Sequence, residues 1–142
     1  MGKQELDNLV RIGKLKAEPG TRDEFDGLVK SGRNRLADSQ NESLSSDSQF
    51  DLAYNAAHAL ARAALRQNGY RSEDRYLVFQ MLAHTVGLDA ATCRIFSKCH
   101  DHRNLAEYEG RSEVDKQLLA DLIRCTKRLE AAVGALDPPP EA

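Results

Sequence analysis

The hydrophobic positions of this chain recur every three or four residues over most of its length, whereas alternation with a period of two is rare. The clearest stripe keeps this spacing for about four helical turns, so its members fall on one face of a helix. Those members are Phe50, Ala53, Tyr54, Ala57, Ala61, Ala64 and Leu65. Because alanine is small, neighbouring helices can approach this face closely. The pattern therefore predicts a central helix in an all-α bundle.

Capping residues and helix breakers divide the rest of the chain into further helices. Thr21 followed by Glu24 has the spacing of a capping box, and Gly32 in the same helix predicts a close contact with a neighbouring helix. The other predicted N-caps are Ser46, Ser72, Asp89 and Ser112, and the predicted helix ends are Gly13, Gly69, Gly87 and Gly110. Strand signals are nearly absent. The sequence thus predicts an antiparallel bundle of four to five long helices plus a short N-terminal helix.

The chain length of 142 residues is typical of one domain. We expect a single helical domain over residues 1–136. Residues 137–142, DPPPEA, cannot continue a helix, because proline lacks the backbone N–H and clashes with the preceding turn. They are expected to form a disordered tail.

Composition and charge narrow the function classes. Hydrophobic residues make up 41% and charged residues 30% of the chain, as is usual for a folded globular protein. The net charge of -2 provides no overall basic field, so a nucleic acid would have to bind to a local patch. Three cysteines without CxxC spacing suit reduced thiols, and no apolar run has the length of a signal peptide or a membrane helix. We expect a cytoplasmic protein that does not enter the membrane.

Polar and aromatic side chains crowd into residues 97–112, SKCHDHRNLAEYEGRS, near the end of a predicted helix. At about 100° per residue, His100 and Arg103 share one face of this helix. Asn104 and Tyr108 lie one turn apart beside it. This surface offers a cation and several hydrogen-bonding groups, which a phosphate or a nucleotide edge requires. The alternative is a solvated helix end on which Arg103 pairs with Glu107.

The other constellations are weaker. A metal set drawn from Cys93, Cys99, His100 and His102 is disfavoured, because a spacing of six positions directs the two thiols to different helix faces. His102 also points away from the face of Arg103. We therefore expect no metal and no cofactor.

Two further groups of residues are expected to be structural. The lone histidines in apolar helices, His58 and His84, are expected to pack in the core. Arg62, Arg66 and the segment 71–75 place positive charge near the end of the central helix. This charge is expected to form a solvated face.

Three stretches of the chain resemble HEPN domains (higher eukaryotes and prokaryotes nucleotide-binding). They are FDLAYNAAHALARAALRQNGYR in the central helix, HRNLAEYEG at the end of the penultimate long helix, and LDNLVRIGKLKAEPGTRDEFDGLVKSGRNRLADSQ near the start. More narrowly, the chain resembles small bacterial HEPN proteins with an Arg-Asn-x-x-x-Tyr signature. The resemblance covers residues 4–135, which is nearly the whole chain.

This resemblance implies a helical homodimer in which two copies of the motif meet in a shared cleft. Many HEPN domains are metal-independent ribonucleases that act as toxins in toxin–antitoxin or phage-defence systems, often beside a nucleotidyltransferase. Their motif is an arginine with a polar neighbour, followed four to six residues later by a histidine. That histidine deprotonates the ribose 2′-hydroxyl, and the arginine steadies the phosphate.

Carried over to this sequence, Arg103 matches the arginine and Asn104 its polar neighbour, whereas Tyr108 stands in the place of the histidine. A phenol with an ordinary pKa of about 10 is a poor general base at neutral pH. Whether the chain is an endoribonuclease therefore stays open, and His100 is the substitute candidate for the base. The candidate catalytic residues are Arg103, Tyr108 and His100, and the candidate binding residues are Arg103, Asn104 and Tyr108.

Three hypotheses follow from these residues. The first is a HEPN-like protein that binds RNA or a nucleotide at a dimer cleft. This hypothesis includes a toxin-type ribonuclease with an antitoxin partner. The second is a catalytically inactive dimeric protein that pairs with a partner such as a nucleotidyltransferase. The third is a helical bundle with a small-molecule pocket among the alanines.

Overall fold

The computed structural model describes residues 2–109 and 114–141, with only the backbone of residues 107–109. Its long helices are α2 (Arg22–Ser39), α3 (Ser46–Gln67), α6 (Ala90–Glu109) and α7 (Lys116–Gly134). The shorter helices are α1 (Gly2–Arg11), α4 (Arg75–Gln80) and α5 (Leu82–Thr85). The predicted all-α bundle is confirmed. None of the described helices has the length and apolar character that would let it span a bilayer.

Helix α3 lies at the centre of the bundle, where it contacts α2, α4, α5, α6 and α7. Every member of the predicted alanine-rich stripe is buried. Within residues 50–66, the residues that keep some exposure are Asp51, Leu52, Asn55, His58 and Arg62. Positions 51, 55, 58 and 62 are three or four residues apart, so they form one line along the helix. Neighbouring helices therefore enclose α3 except beside this line.

Side-chain caps set the helix starts, and two of the predicted caps were wrong. Thr21 Oγ1 accepts a hydrogen bond from the Glu24 amide at 3.3 Å, as predicted. Helix α3 is capped by Ser45, whose Oγ accepts from the Ser48 amide at 3.1 Å, and not by Ser46. Asp74 caps α4 in place of Ser72, because its carboxylate accepts from the amide of Leu77 at 3.2 Å.

The predicted fourth helix is divided into α4 and α5 by a turn at Met81. The backbone of Met81 (φ -74°, ψ -9°) departs from helical ψ and offsets the two helices. Leu77, Val78 and Leu82 on either side of the turn are all buried. The turn thus lets two short helices fit their apolar residues into the core.

The end of α6 and the start of α7 are described only in part. The predicted end of the penultimate helix at Gly110 and the predicted cap Ser112 lie outside the described residues. Asp115 caps α7, and its Oδ1 accepts a hydrogen bond from the Gln117 amide at 3.0 Å. After α7, the chain is no longer helical, and Gln67 Nε2 donates to the carbonyl oxygen of Asp137 at 3.0 Å.

Gly32 allows α2 to approach α3 closely, as predicted. A Cβ atom at position 32 would lie 2.6 Å from Cγ of Leu60 and 3.2 Å from the carbonyl oxygen of Ala56. Both distances are shorter than ordinary van der Waals contacts. Any side chain at this position would therefore push the two helices apart.

A short antiparallel strand pair, which was not predicted, joins the two ends of the α2–α3 hairpin. Strand β1 (Lys16–Ala17) pairs with β2 (Tyr70–Arg71), with Lys16 opposite Arg71 and Ala17 opposite Tyr70. The Tyr70 hydroxyl donates to Asp7 of α1 at 2.5 Å. The pair thereby ties the N-terminal helix to the end of α3.

Arg66 was expected on a solvated face, but it is only 4% exposed and lies beside the strand pair. Its guanidinium donates to Glu24 Oε1 at 2.8 Å and to the carbonyl oxygens of Glu18, Pro19 and Tyr70 at 2.8, 3.0 and 3.2 Å. Although burial acts to raise the pKa of Glu24, the hydrogen bond and charge of Arg66 hold it below its usual value. The arginine was misplaced because its partners belong to distant parts of the chain.

Candidate functional site

Two residues of the polar segment on α6, His100 and Arg103, lie beside Tyr54, a fully buried residue of α3. The Tyr54 hydroxyl oxygen lies 3.0 Å from Nδ1 of His100. The guanidinium carbon of Arg103 lies 5.3 Å from the centroid of the Tyr54 ring, which is a cation–π distance. The structure therefore brings the two predicted residues His100 and Arg103 onto the same buried phenol.

Both ring nitrogens of His100 are occupied by protein groups. Asn104 Nδ2 lies 3.2 Å from His100 Nε2. The two contacts engage Nδ1 with the Tyr54 hydroxyl and Nε2 with the Asn104 amide. His100 is thus held in place by two hydrogen bonds. To take a proton from a substrate, it would have to give up one of them.

Asn104, which was predicted to bind beside Tyr108, contacts His100. The side chain of Tyr108 lies outside the described residues, as does that of Glu107. His102 points elsewhere, as predicted, and packs edge-on against Phe50 with ring centroids 4.9 Å apart.

Arg75 adds a second cation to Tyr54 from helix α4. Its guanidinium carbon lies 5.8 Å from the Tyr54 ring centroid, and its Nη1 is 3.5 Å from Oδ1 of Asn55. Burial raises the pKa of the Tyr54 phenol above its ordinary value, although the hydrogen bond from Arg75 and the charge of Arg103 act in the opposite direction. Tyr54 therefore remains a neutral hydrogen-bonding group at physiological pH.

A cleft of about 270 Å³ opens next to this group, one turn further along α3. Its lining includes His58 and Arg62 of α3, Arg75 of α4, and Ser72 and Glu73 of the intervening loop. Tyr54, His58 and Arg62 are four residues apart, so they follow one another along one face of α3, from the buried Tyr54 to the half-buried His58 and Arg62. Arg75 links the two places, because it contacts Tyr54 and also lines the cleft.

The pKa of His58 is lowered by burial and by the positive charge of this region. Burial, followed by the charges of Arg75, Arg62 and Arg103, lowers its pKa from 6.5 to about 3. Three arginines from three helices, here called the arginine row (Arg62, Arg75 and Arg103), therefore act on one imidazole. After burial, the positive charges of the row are thus the main influence on this imidazole, and positive charge favours an anion.

Sequence reasoning missed Tyr54 as a site residue and placed Arg62 on an ordinary solvated face. A signal was present, because the polar residues His58 and Arg62 interrupt an alanine-rich helix at the spacing of one face. The contribution of Arg75 left no such signal. It depends on how α4 packs against α3 and α6.

Two of the three cysteines, Cys93 and Cys99, had been weighed as metal ligands. Cys99 and Cys125 are buried, and Cys93 is half-buried. Burial raises the pKa of Cys99 to about 12 and also raises the pKa values of Cys93 and Cys125. These thiols therefore stay protonated at neutral pH and are poor nucleophiles.

No family model matches this chain, and no curated protein matches its sequence. Function is therefore inferred from the geometry of the arginine row and its surroundings.

Proposed function

We propose that this chain is a HEPN-like protein that binds RNA or a nucleotide along the arginine row. The observation that supports this most directly is the convergence of Arg62, Arg75 and Arg103 on the region of Tyr54 and His58. Guanidinium groups bind phosphate oxygens through paired, charge-assisted hydrogen bonds. The charges of the same three arginines, after burial, also lower the pKa of His58.

An aromatic surface beside the row suits a base as well as a phosphate. Tyr76 of α4 is 39% exposed, and its ring centroid lies 5.6 Å from that of His100. Exposed aromatic rings next to cationic side chains hold unpaired bases by stacking. This pairing of stacking and charge favours single-stranded RNA or a nucleotide over a simple inorganic anion.

The site supports binding better than cleavage. A general base must reach the 2′-hydroxyl with a free nitrogen, but His100 is engaged by Tyr54 and Asn104 on both sides. Tyr54 cannot replace it, because burial keeps the phenol protonated. We accordingly propose that the chain binds RNA or a nucleotide without cleaving it. Observed cleavage of RNA would replace this proposal by a ribonuclease function.

Fluorescence anisotropy with a short single-stranded RNA and a chelator present tests both parts of the proposal. We expect saturable binding that is lost in Arg75→Gln and Arg103→Gln and kept in Arg35→Gln, which removes the same charge from α2. With three phosphate contacts on a single strand, log Kd should change with log salt by a slope of about 2. Absence of binding, or equal loss in all three variants, would contradict the proposal.

RNA integrity is read from the same samples by denaturing electrophoresis. Intact RNA is expected after prolonged incubation. Cleavage that disappears in His100→Gln would show that this histidine leaves its hydrogen bonds during turnover, and the ribonuclease function would then replace simple binding.

The same proposal includes a homodimer, which the resemblance to HEPN domains implies. It also includes a reducing cytoplasmic location, which the cysteine content favours. In a dimer, two arginine rows would face a shared cleft. Sedimentation velocity at micromolar concentration tests this. A monomer would remove the shared cleft from the proposal and leave RNA binding by a single row.

A further inference from the structure

The charges that line the cleft beside His58 are unequally neutralised. Arg66 and Arg71 are both paired with Glu18 and Glu24, at distances from 2.5 to 3.1 Å. Arg62 and Arg75, by contrast, form no ion pair with the described residues. The acidic group of the lining is Glu73, which is exposed.

The two unneutralised arginines lie with a hydroxyl group in the same cleft. Ser72 Oγ accepts a hydrogen bond from the Asp74 amide at 3.1 Å, which leaves the hydroxyl proton to be donated to a ligand. Two guanidinium groups carry about two positive charges, which match the nearly two negative charges of a phosphomonoester at neutral pH. A phosphodiester within an RNA chain carries one negative charge and leaves one guanidinium uncompensated.

The size of the cleft also favours a chain end. Its volume of about 270 Å³ lies at the lower limit for small-molecule sites. Leu65 and Arg66, which are 1% and 4% exposed, form part of its wall. A phosphate with its sugar fits such a volume, whereas a continuous RNA strand needs a groove open at both ends.

We propose that this cleft holds a terminal phosphomonoester, so that the protein recognises a phosphorylated end of RNA or a free nucleoside monophosphate. The inference rests on the proposed function, because the rest of the ligand would lie along Tyr54 toward Arg103. Arg75 contacts both parts of the site and joins them. Arg62 lies at the far end of the row, and its guanidinium is the group that distinguishes a terminal phosphate from a hydroxyl end.

Isothermal titration calorimetry with unlabelled oligoribonucleotides of one sequence tests the inference. The probes carry a 5′-phosphate, a 3′-phosphate or two hydroxyl ends, and a nucleoside 5′-monophosphate and its nucleoside complete the set. We expect one phosphorylated end to bind about tenfold more tightly than the hydroxyl form. Arg62→Gln should abolish this preference, because it should weaken binding of the phosphorylated form about tenfold more than binding of the hydroxyl form.

Two further variants define the origin of the preference. Arg62→Lys keeps the charge without the paired donors and should restore part of the preference. Arg35→Gln should leave it unchanged, and circular dichroism checks that each variant is folded. If the nucleoside monophosphate also binds in an Arg62-dependent manner, the ligand source includes free nucleotides. If only the oligonucleotides bind, the source is an RNA end.

The inference and the proposed function fail in different ways. Equal affinity for phosphorylated and hydroxyl ends, with binding still lost in Arg103→Gln, would overturn the inference and retain RNA binding. Equal weakening of all probes by Arg62→Gln would overturn it as well. Absence of binding by every probe would overturn both.

Discussion

His58 should make the protein lose stability in mild acid, and its replacement by glutamine should remove this loss. Its pKa is lowered from 6.5 to about 3 in the folded protein. Between these values, the unfolded chain binds a proton on this imidazole and the folded protein does not. Stability contributed by the neutral histidine is therefore fully present above about pH 6.5 and falls as the pH decreases toward 3.

The magnitude follows from the two pKa values. Each unit between the pH and the unfolded pKa corresponds to about 1.4 kcal/mol, so the loss from pH 7.5 to pH 5 has an upper limit of about 2 kcal/mol. Because His58 is half-buried, solvent screening reduces the value, and we expect about 1–2 kcal/mol. The groups that act on the imidazole are Arg62, Arg75, Arg103 and His100, with Glu73 in the same cleft.

Urea unfolding at pH 7.5 and pH 5, for the wild type and His58→Gln, measures this contribution as a difference of differences. The constant cost of losing the ring contact with Phe79 cancels, because it is present at both pH values. Asn55→Ala is the matched control on the same side of α3 and should keep the wild-type pH dependence. If the wild type and His58→Gln lose equal free energy, His58 is not held neutral by its surroundings. The electrostatic basis of the proposed site would then be removed.

Two other predictions concern stability. Arg66→Ala should lower the free energy of unfolding by about 3–5 kcal/mol, because it leaves the Glu24 carboxylate and buried carbonyl oxygens without their donor. A loss below about 1 kcal/mol would show that water replaces the guanidinium. Gly32→Ala should cost about 1–3 kcal/mol through its clash with Leu60, whereas Gly27→Ala in the same helix meets no atom within 4 Å and should stabilise by about 0.5–1 kcal/mol. Equal effects in thermal unfolding of the two variants would contradict the close α2–α3 contact.

The helices were predictable because their signals are local. Apolar spacing identified the buried stripe of α3, and Gly32 was identified as a close contact. The errors at Ser46 and Ser72 are also local, since several polar residues in a row each satisfy the preference for an N-cap. The hydrogen bonds chosen in the structure are those of Ser45 and Asp74.

Features that depend on distant contacts were not predictable. Arg66 meets Glu24 and the carbonyl of Glu18 across 42 and 48 residues, and no sequence pattern encodes that meeting. The same division applies to the candidate site. Its residues on α6 were proposed from their spacing, whereas their partners on α3 and α4 depend on how three helices pack. Tyr54 was correctly predicted as a core residue, but its hydrogen bond to His100 required the tertiary structure.

The unequal burial of the helices bears on how the specificity of this site can change. Tyr54 of α3 is fully buried, so substitutions there disturb core packing as well as the ligand. The exposed Tyr76 and the half-buried His58, Arg62 and Arg103 are less constrained by packing. New ligand preferences are therefore most accessible, in natural evolution or in directed libraries, through these partly exposed positions, whereas Tyr54 is constrained by its place in the core.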